Sequence, residues 1–194
     1  MSTNAEPSTS SSVFNVPNQI TAARFVLAIV TFVLISIGAY LAALVVFVVA
    51  AATDWVDGYY ARRYGQVTKV GRVFDPFVDK FIICGVFIFL ATVPASGIAA
   101  WMAVVVVSRE MLVTALRSFI EQSGGDFSAN MAGKLKMVFQ CVAVGASLVA
   151  LMYLPEARPA WLAWTLVISV WLAVLSTIQS GIGYVITAAK YFRE

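Results

Sequence analysis

The stretch AYLAALVVFVVAAATDWVDGYYAR, residues 39–62, changes character at a single point. From Ala39 to Thr53 it carries no charge; then Asp54, Asp57 and Arg62 follow within nine residues. Fifteen uncharged residues make roughly 22 Å of helix at 1.5 Å per residue. A bilayer's hydrocarbon core is about 30 Å thick, so a helix entering at Ala39 carries Asp54 and Asp57 into the far edge of that core rather than beyond it. A carboxylate held there costs about 2.5–3.5 kcal/mol even on insertion scales, and such residues mark function. Positions 54, 57, 58, 61 and 62 are spaced i, i+3, i+4, i+7 and i+8. The spacing predicts one helical face bearing two carboxylates, Gly58, Ala61 and Arg62, with small residues leaving room against the backbone.

The rest of the chain supports a bilayer as its solvent. Of 194 residues, 61% are hydrophobic and 12% charged, against about 45–50% and about a quarter in soluble domains. Apolar segments are expected near 20–37, 39–61, 77–93, 97–118, 135–154 and 160–189. None shows the ten-residue alternation of a membrane barrel, so the expected fold class is all-α, a six-transmembrane-helix bundle with a polar cavity facing the cytoplasm. Gly38, Pro94 to Gly97 and Pro155 to Pro159 mark short turns on one side; Arg62 to Pro76 and Glu121 to Lys134 read as longer polar connections on the other. Of the 13 lysines and arginines, all but Arg158 fall on the side of the longer connections. The positive-inside rule places that side, with both termini, in the cytoplasm. Residues 1–13 read as a Ser/Thr-rich flexible tail without a signal-peptide pattern, and 14–194 as one domain without repeats. Asn18 is the expected N-cap of the first helix. Tyr40, Trp55, Tyr59, Tyr60, Trp101, Tyr153 and Trp161 are expected at the membrane interface.

The net charge of +3 comes from residues scattered between apolar runs, which argues against nucleic acid as a partner. Cys84 and Cys141 lie inside apolar stretches as small core residues. There is no histidine, so any metal must be held by oxygen ligands, which suits magnesium or manganese. A second acidic group supplies such ligands: Gly71, Asp75 and Asp79 recur every four residues and share a face if the third helix starts near Gly71. Pro76 then fits that helix's first turn or a local break. Four carboxylates at a membrane edge repel one another, and one or two divalent cations would neutralise them. The plainer alternative is a set of interfacial aspartates paired with nearby Arg and Lys.

The run D-x2-D-G-x2-A-R-x8-G-x3-D-x3-D, from Asp54 to Asp79, resembles the signature of the CDP-alcohol phosphotransferase family at every fixed position. The resemblance implies two divalent metals on Asp54, Asp57, Asp75 and Asp79, with Asp79 also the general base. It implies that Gly58, Ala61, Arg62, Gly71 and Asp57 face the CDP group. It further implies a homodimer in a bacterial inner (cytoplasmic) membrane, working on membrane lipids.

A second set of charges bears on the acceptor. Arg109 lies inside the fourth apolar segment and Arg117 follows at i+8, while Lys134 and Lys136 open the fifth. Cations converging near the aspartates suit an acceptor that carries its own phosphate; positive-inside anchoring is the competing account of the two lysines. The segments Asn15 to Arg24, Arg109-Glu110 with Ala115 to Arg117, and Gly133 to Lys136 are similar to the bacterial branch of the family that forms phosphatidylglycerol phosphate. That likeness implies CDP-diacylglycerol as donor, sn-glycerol 3-phosphate as acceptor and CMP as the leaving product. Inositol phosphate and other alcohols serve relatives with the same central motif, so the choice of acceptor stays open here. A divalent-cation transporter is the rival from another class, though it would often show inverted repeats, and none is present. Ser176 to Gly183 is a small polar stretch, read as close helix packing or as a cavity lining.

Overall fold

Long uncharged runs leave the backbone no partner but itself, and the chain answers with helices. In the computed structural model the described residues form six of them in order: α1 Val16–Ser36, α2 Tyr40–Tyr64, α3 Lys69–Ala91, α4 Ala100–Gln122, α5 Met131–Ala150 and α6 Ala160–Tyr191, with a 3₁₀ turn at Pro155–Ala157 before α6. The structure describes the backbone of residues 16–64, 69–122 and 131–191, and the side chains of 19–53, 74, 76–120, 122 and 135–190. Among the described residues there is no strand. The expected tail, 1–13, lies outside the described residues.

Several boundaries differ from the expected ones. α2 continues through Asp54, Asp57 and Arg62 to Tyr64, and α3 begins at Lys69, so most of the anticipated Arg62 to Pro76 connection is helix. Gly71, Asp75 and Asp79 therefore do share one helix. Pro76 sits inside α3 rather than in its first turn; it has no N–H to give the carbonyl four residues back, which loosens that turn of the ladder. α1 starts at Val16, so Asn18 is inside the first turn and is not the N-cap. Lys134 lies in the first turn of α5.

The helices pack as a closed ring. α1 lies between α2 and α3, α4 between α3 and α6, and α5 between α6 and α2, with α5 also touching α3 across the bundle. The centre is filled by Phe32, Val86, Phe87, Leu90, Leu148 and Val170, all buried. α1 meets α3 closely because Gly85 has no side chain: a Cβ there would fall 2.1 Å from Phe32 Cζ. The Phe32 ring occupies that gap and stacks on Phe89 at 5.0 Å between centroids.

Beside its apolar core the bundle buries charged groups and turns large apolar side chains outward. Arg24, Arg109, Glu110, Lys136 and Gln140 are inside, while Val33, Val45, Val104, Leu112, Trp164 and Ile168 face outward. Among the described residues two helices, over Gln19–Ser36 and Ala160–Lys190, are long and apolar enough to cross a membrane by length and composition; shorter apolar stretches cover Tyr40–Thr53 and Leu135–Ala150. α3 and α4 are interrupted by Asp79-Lys80 and Arg109-Glu110.

The end holding the α1–α2, α3–α4 and α5–α6 turns is tightly built. Gly38 and Gly97 adopt φ of 76° and 79°, backbone that glycine enters without steric cost. Arg158 donates Nη2 hydrogen bonds to the carbonyls of Ala95 (3.1 Å) and Ala150 (3.0 Å). This joins two of the three turns. The exceptional cation of the charge pattern is thus a clamp on backbone carbonyls left open at turns and a helix end.

Candidate active site

The opposite end of the ring holds the charges. A cavity of about 300 Å³ is lined by Asp79 and Lys80 from α3, Arg109, Glu110 and Arg117 from α4, Lys136 and Gln140 from α5, and Tyr184 from α6. Four helices supply it, and the ring explains how: α4 touches α3 and α6, and α5 touches α6 and α3.

Glu110 organises two of the cations. Arg109 Nη1 donates to both of its oxygens, at 3.1 and 3.2 Å, and Lys136 Nζ bonds to Glu110 Oε1. All three residues are buried, where a charge is tolerated only if paired and hydrogen-bonded. Arg109 Nη2 also donates to Ser180 Oγ at 2.6 Å. Its stem lies along α6 because Gly181 has no side chain; a Cβ there would stand 3.3 Å from Arg109 Cγ. The small polar stretch of α6 thereby both packs closely and serves the cavity.

Tyr184 sits between two arginines. The Arg109 guanidinium lies over its ring at 5.4 Å and that of Arg117 at 6.0 Å, while Arg117 Nη2 donates to its hydroxyl at 3.3 Å. The electron-rich ring face offsets the repulsion of two like charges brought to one site. Among the described residues the lining carries four cations, Lys80, Arg109, Arg117 and Lys136, against two carboxylates, Asp79 and Glu110. Arg109 Nε and Arg117 Nε are buried with no hydrogen-bond partner among the described residues. This part of the wall, with more cations than carboxylates and unspent N–H donors, suits an anion.

At the cavity's edge Asp79 is 30% exposed, and its Oδ1 lies 3.5 Å from Nη1 of the buried Arg24 on α1. Sequence spacing gave Arg24 no place in the site, because it is 55 residues away on a different helix. The available signal was an arginine in an otherwise apolar helix. Glu110, Gln140 and Tyr184 were missed as site residues for the same reason, since each has a partner on another helix, while Ser180 lies in the polar stretch of α6 already read as a possible cavity lining.

The other expected positions are fixed only along the backbone. Asp54, Asp57, Gly58, Ala61 and Arg62 lie on the continuous helix α2, and Gly71 and Asp75 on α3 with Asp79; their side chains, like that of Lys134, lie outside the described residues. Among the described residues no three His, Cys, Asp or Glu gather into a metal site. The donors do fit a hard cation in kind. Carboxylates at i, i+3 on α2 and at i, i+4 on α3 are an all-oxygen set on helices that hold their register through the motif. Of these, the carboxylate of Asp79 is described, and it lines the cavity that holds the cations.

Residues 14–178 match the family model described as CDP-alcohol phosphatidyltransferase. A CDP-diacylglycerol--glycerol-3-phosphate 3-phosphatidyltransferase of Bacillus subtilis is 36% identical over 193 residues, covering 89% of this chain and 94% of that one. A protein of the same name from Rickettsia bellii is 30% identical, covering 92% and 97%. Among solved structures, the phosphatidylinositol phosphate synthase of Mycobacterium tuberculosis, with CDP-DAG bound, superposes with a TM-score of 0.64 at 18% identity, over 91% of this chain and 87% of that one. This likeness establishes a shared fold.

Proposed function

Because this chain belongs to the CDP-alcohol phosphatidyltransferase family, we propose that it transfers the phosphatidyl group of CDP-diacylglycerol to sn-glycerol 3-phosphate, giving phosphatidylglycerol phosphate and CMP. The observation that carries the acceptor half is the cavity beside Asp79, where, among the described residues, four cations face two carboxylates and two buried arginine N–H groups have no partner. An alcohol with its own phosphate would satisfy those donors and present a hydroxyl toward Asp79. The relatives named for glycerol 3-phosphate, at 36% and 30% identity over nearly the full chain, favour that acceptor.

The residues divide the work. Asp79 accepts the proton of the attacking hydroxyl, whose oxygen bonds to the phosphorus of the phosphatidyl group as the bond to CMP breaks. Arg117, Arg109, Lys136 and Lys134 hold the acceptor's phosphate, with Glu110 and Tyr184 fixing the first three. Arg62 holds the donor's pyrophosphate, and Gly58, Ala61 and Gly71 leave space for the nucleotide beside Asp57. Asp54, Asp57, Asp75 and Asp79 would hold one or two divalent ions, Mg²⁺ or Mn²⁺, which supply charge neutralisation at the pyrophosphate. The site lies in a bundle of six membrane spans with both termini and the cavity on the cytoplasmic side of a bacterial inner membrane. The apolar exterior and charged interior support that reading, as does the family's lipid donor. A homodimer belongs to the same proposal.

The test is purified protein in detergent with CDP-diacylglycerol, magnesium or manganese, and a panel of alcohols, reading CMP release. The reading expects CMP with glycerol 3-phosphate. CMP with inositol phosphate alone would replace the acceptor and keep the chemistry.

A further inference from the structure

One polar side chain in the cavity has no part in binding a phosphate. Gln140 is 0% exposed, lies one turn beyond Lys136 on α5 and lines the same cavity. Its Nε2 donates to Thr177 Oγ1 on α6 at 3.0 Å. The Thr177 hydroxyl has one proton, which it gives to the Ala173 carbonyl at 2.6 Å, so it presents a lone pair to Gln140. That relay assigns the amide: nitrogen toward Thr177, carbonyl oxygen away from it. Oε1 then has no hydrogen-bond partner among the described residues. A buried acceptor left unmade is costly, and folded proteins rarely keep one. The other orphaned cavity atoms noted above, Arg109 Nε and Arg117 Nε, are donors. Two missing acceptors and one missing donor describe a ligand with an anionic group at one end and a hydroxyl elsewhere.

We infer that Gln140 Oε1 accepts a hydrogen bond from the hydroxyl of the acceptor that does not react, making Gln140 a specificity-determining residue. The inference rests on the proposed acceptor reading. In glycerol 3-phosphate the phosphate meets the arginines, one terminal hydroxyl meets Asp79, and the middle hydroxyl is the donor left for Gln140. Thr177 and Ala173 keep the amide from turning, so Oε1 discriminates against an acceptor with no hydroxyl at that place, whose binding would leave it unpaired.

The experiment compares glycerol 3-phosphate with 3-hydroxypropyl phosphate, which lacks only the middle hydroxyl. The readout is kcat/KM from CMP release with CDP-diacylglycerol and magnesium. The wild-type protein should prefer glycerol 3-phosphate by about tenfold, the worth of one buried neutral hydrogen bond. In Gln140→Leu the ratio should fall toward one. Gln140→Asn keeps an amide but withdraws it by one methylene, and should also lose the preference if the leucine variant does not fold. A merely structural role would lower both acceptors together and leave the ratio intact, which would overturn the inference. Equal use of both by the wild type would overturn it too, as expected if a water satisfies Oε1, while leaving the glycerol 3-phosphate reading in place. No CMP with either phosphate, but CMP with another alcohol, would instead remove the acceptor reading itself.

Discussion

The two ends of the bundle handle charge in opposite ways. At the tight end Arg158 spends its guanidinium on two backbone carbonyls, Ala95 and Ala150, and holds turns together. At the cavity end Arg109, Arg117 and Lys136 are held by side chains: Glu110, Ser180 and Tyr184. Arg109 and Arg117 line the cavity, whereas Arg158 is not among its lining residues; a buried Nε without a partner among the described residues is common to all three and does not distinguish them. A cation paired with backbone is spent on the fold. A cation positioned by other side chains on a cavity wall is available to a ligand. The contrast separates structure from function within one residue type, by what holds the guanidinium and whether it borders the cavity.

The largest expected effect tests the carboxylate beside the cations. Asp79→Asn keeps the shape but cannot take a proton, so turnover should fall by about a hundred- to ten-thousandfold, with binding of a CDP nucleotide, measured by calorimetry, largely retained. Loss of nucleotide binding alongside turnover would assign Asp79 to holding the donor instead. Next in size, Arg117→Ala removes a charge-assisted contact to the acceptor's phosphate. KM for glycerol 3-phosphate should rise by about ten- to a hundredfold with kcat little changed. If kcat fell and KM stayed put, Arg117 would belong to the chemistry rather than to ground-state binding. The smallest effect is at the other end. Arg158→Ala should cost about 1–2 kcal/mol of stability, read as a lower melting temperature in detergent, and leave KM for both substrates unchanged. A changed KM there would erase the distinction between the two ends.

Much of this layout was legible in the sequence, because helices in an apolar chain follow from composition and run length. The aspartate motif announced itself by spacing along α2 and α3, and the backbone keeps both groups on unbroken helices. Boundaries were less legible. Arg62 to Pro76 looks like a connection because it is polar, yet the helices run on through most of it. The arginines were found as isolated charges in apolar segments, whereas the pairs they enter were not. Ser180 is 71 residues from Arg109, Tyr184 is 67 from Arg117, and Lys136 is 26 from Glu110. Such pairs depend on how each helix is rotated against its neighbours, which local periodicity does not set. Arg24 was read as an orientation signal, and only packing of α1 on α3 brings it to Asp79.

The most direct test of the central claim is a competition in one tube. Purified protein, CDP-diacylglycerol and magnesium would be given glycerol 3-phosphate and inositol phosphate at equal concentration, and the lipid product identified by mass spectrometry. The account predicts phosphatidylglycerol phosphate as the dominant product. Phosphatidylinositol phosphate as the dominant product would contradict it.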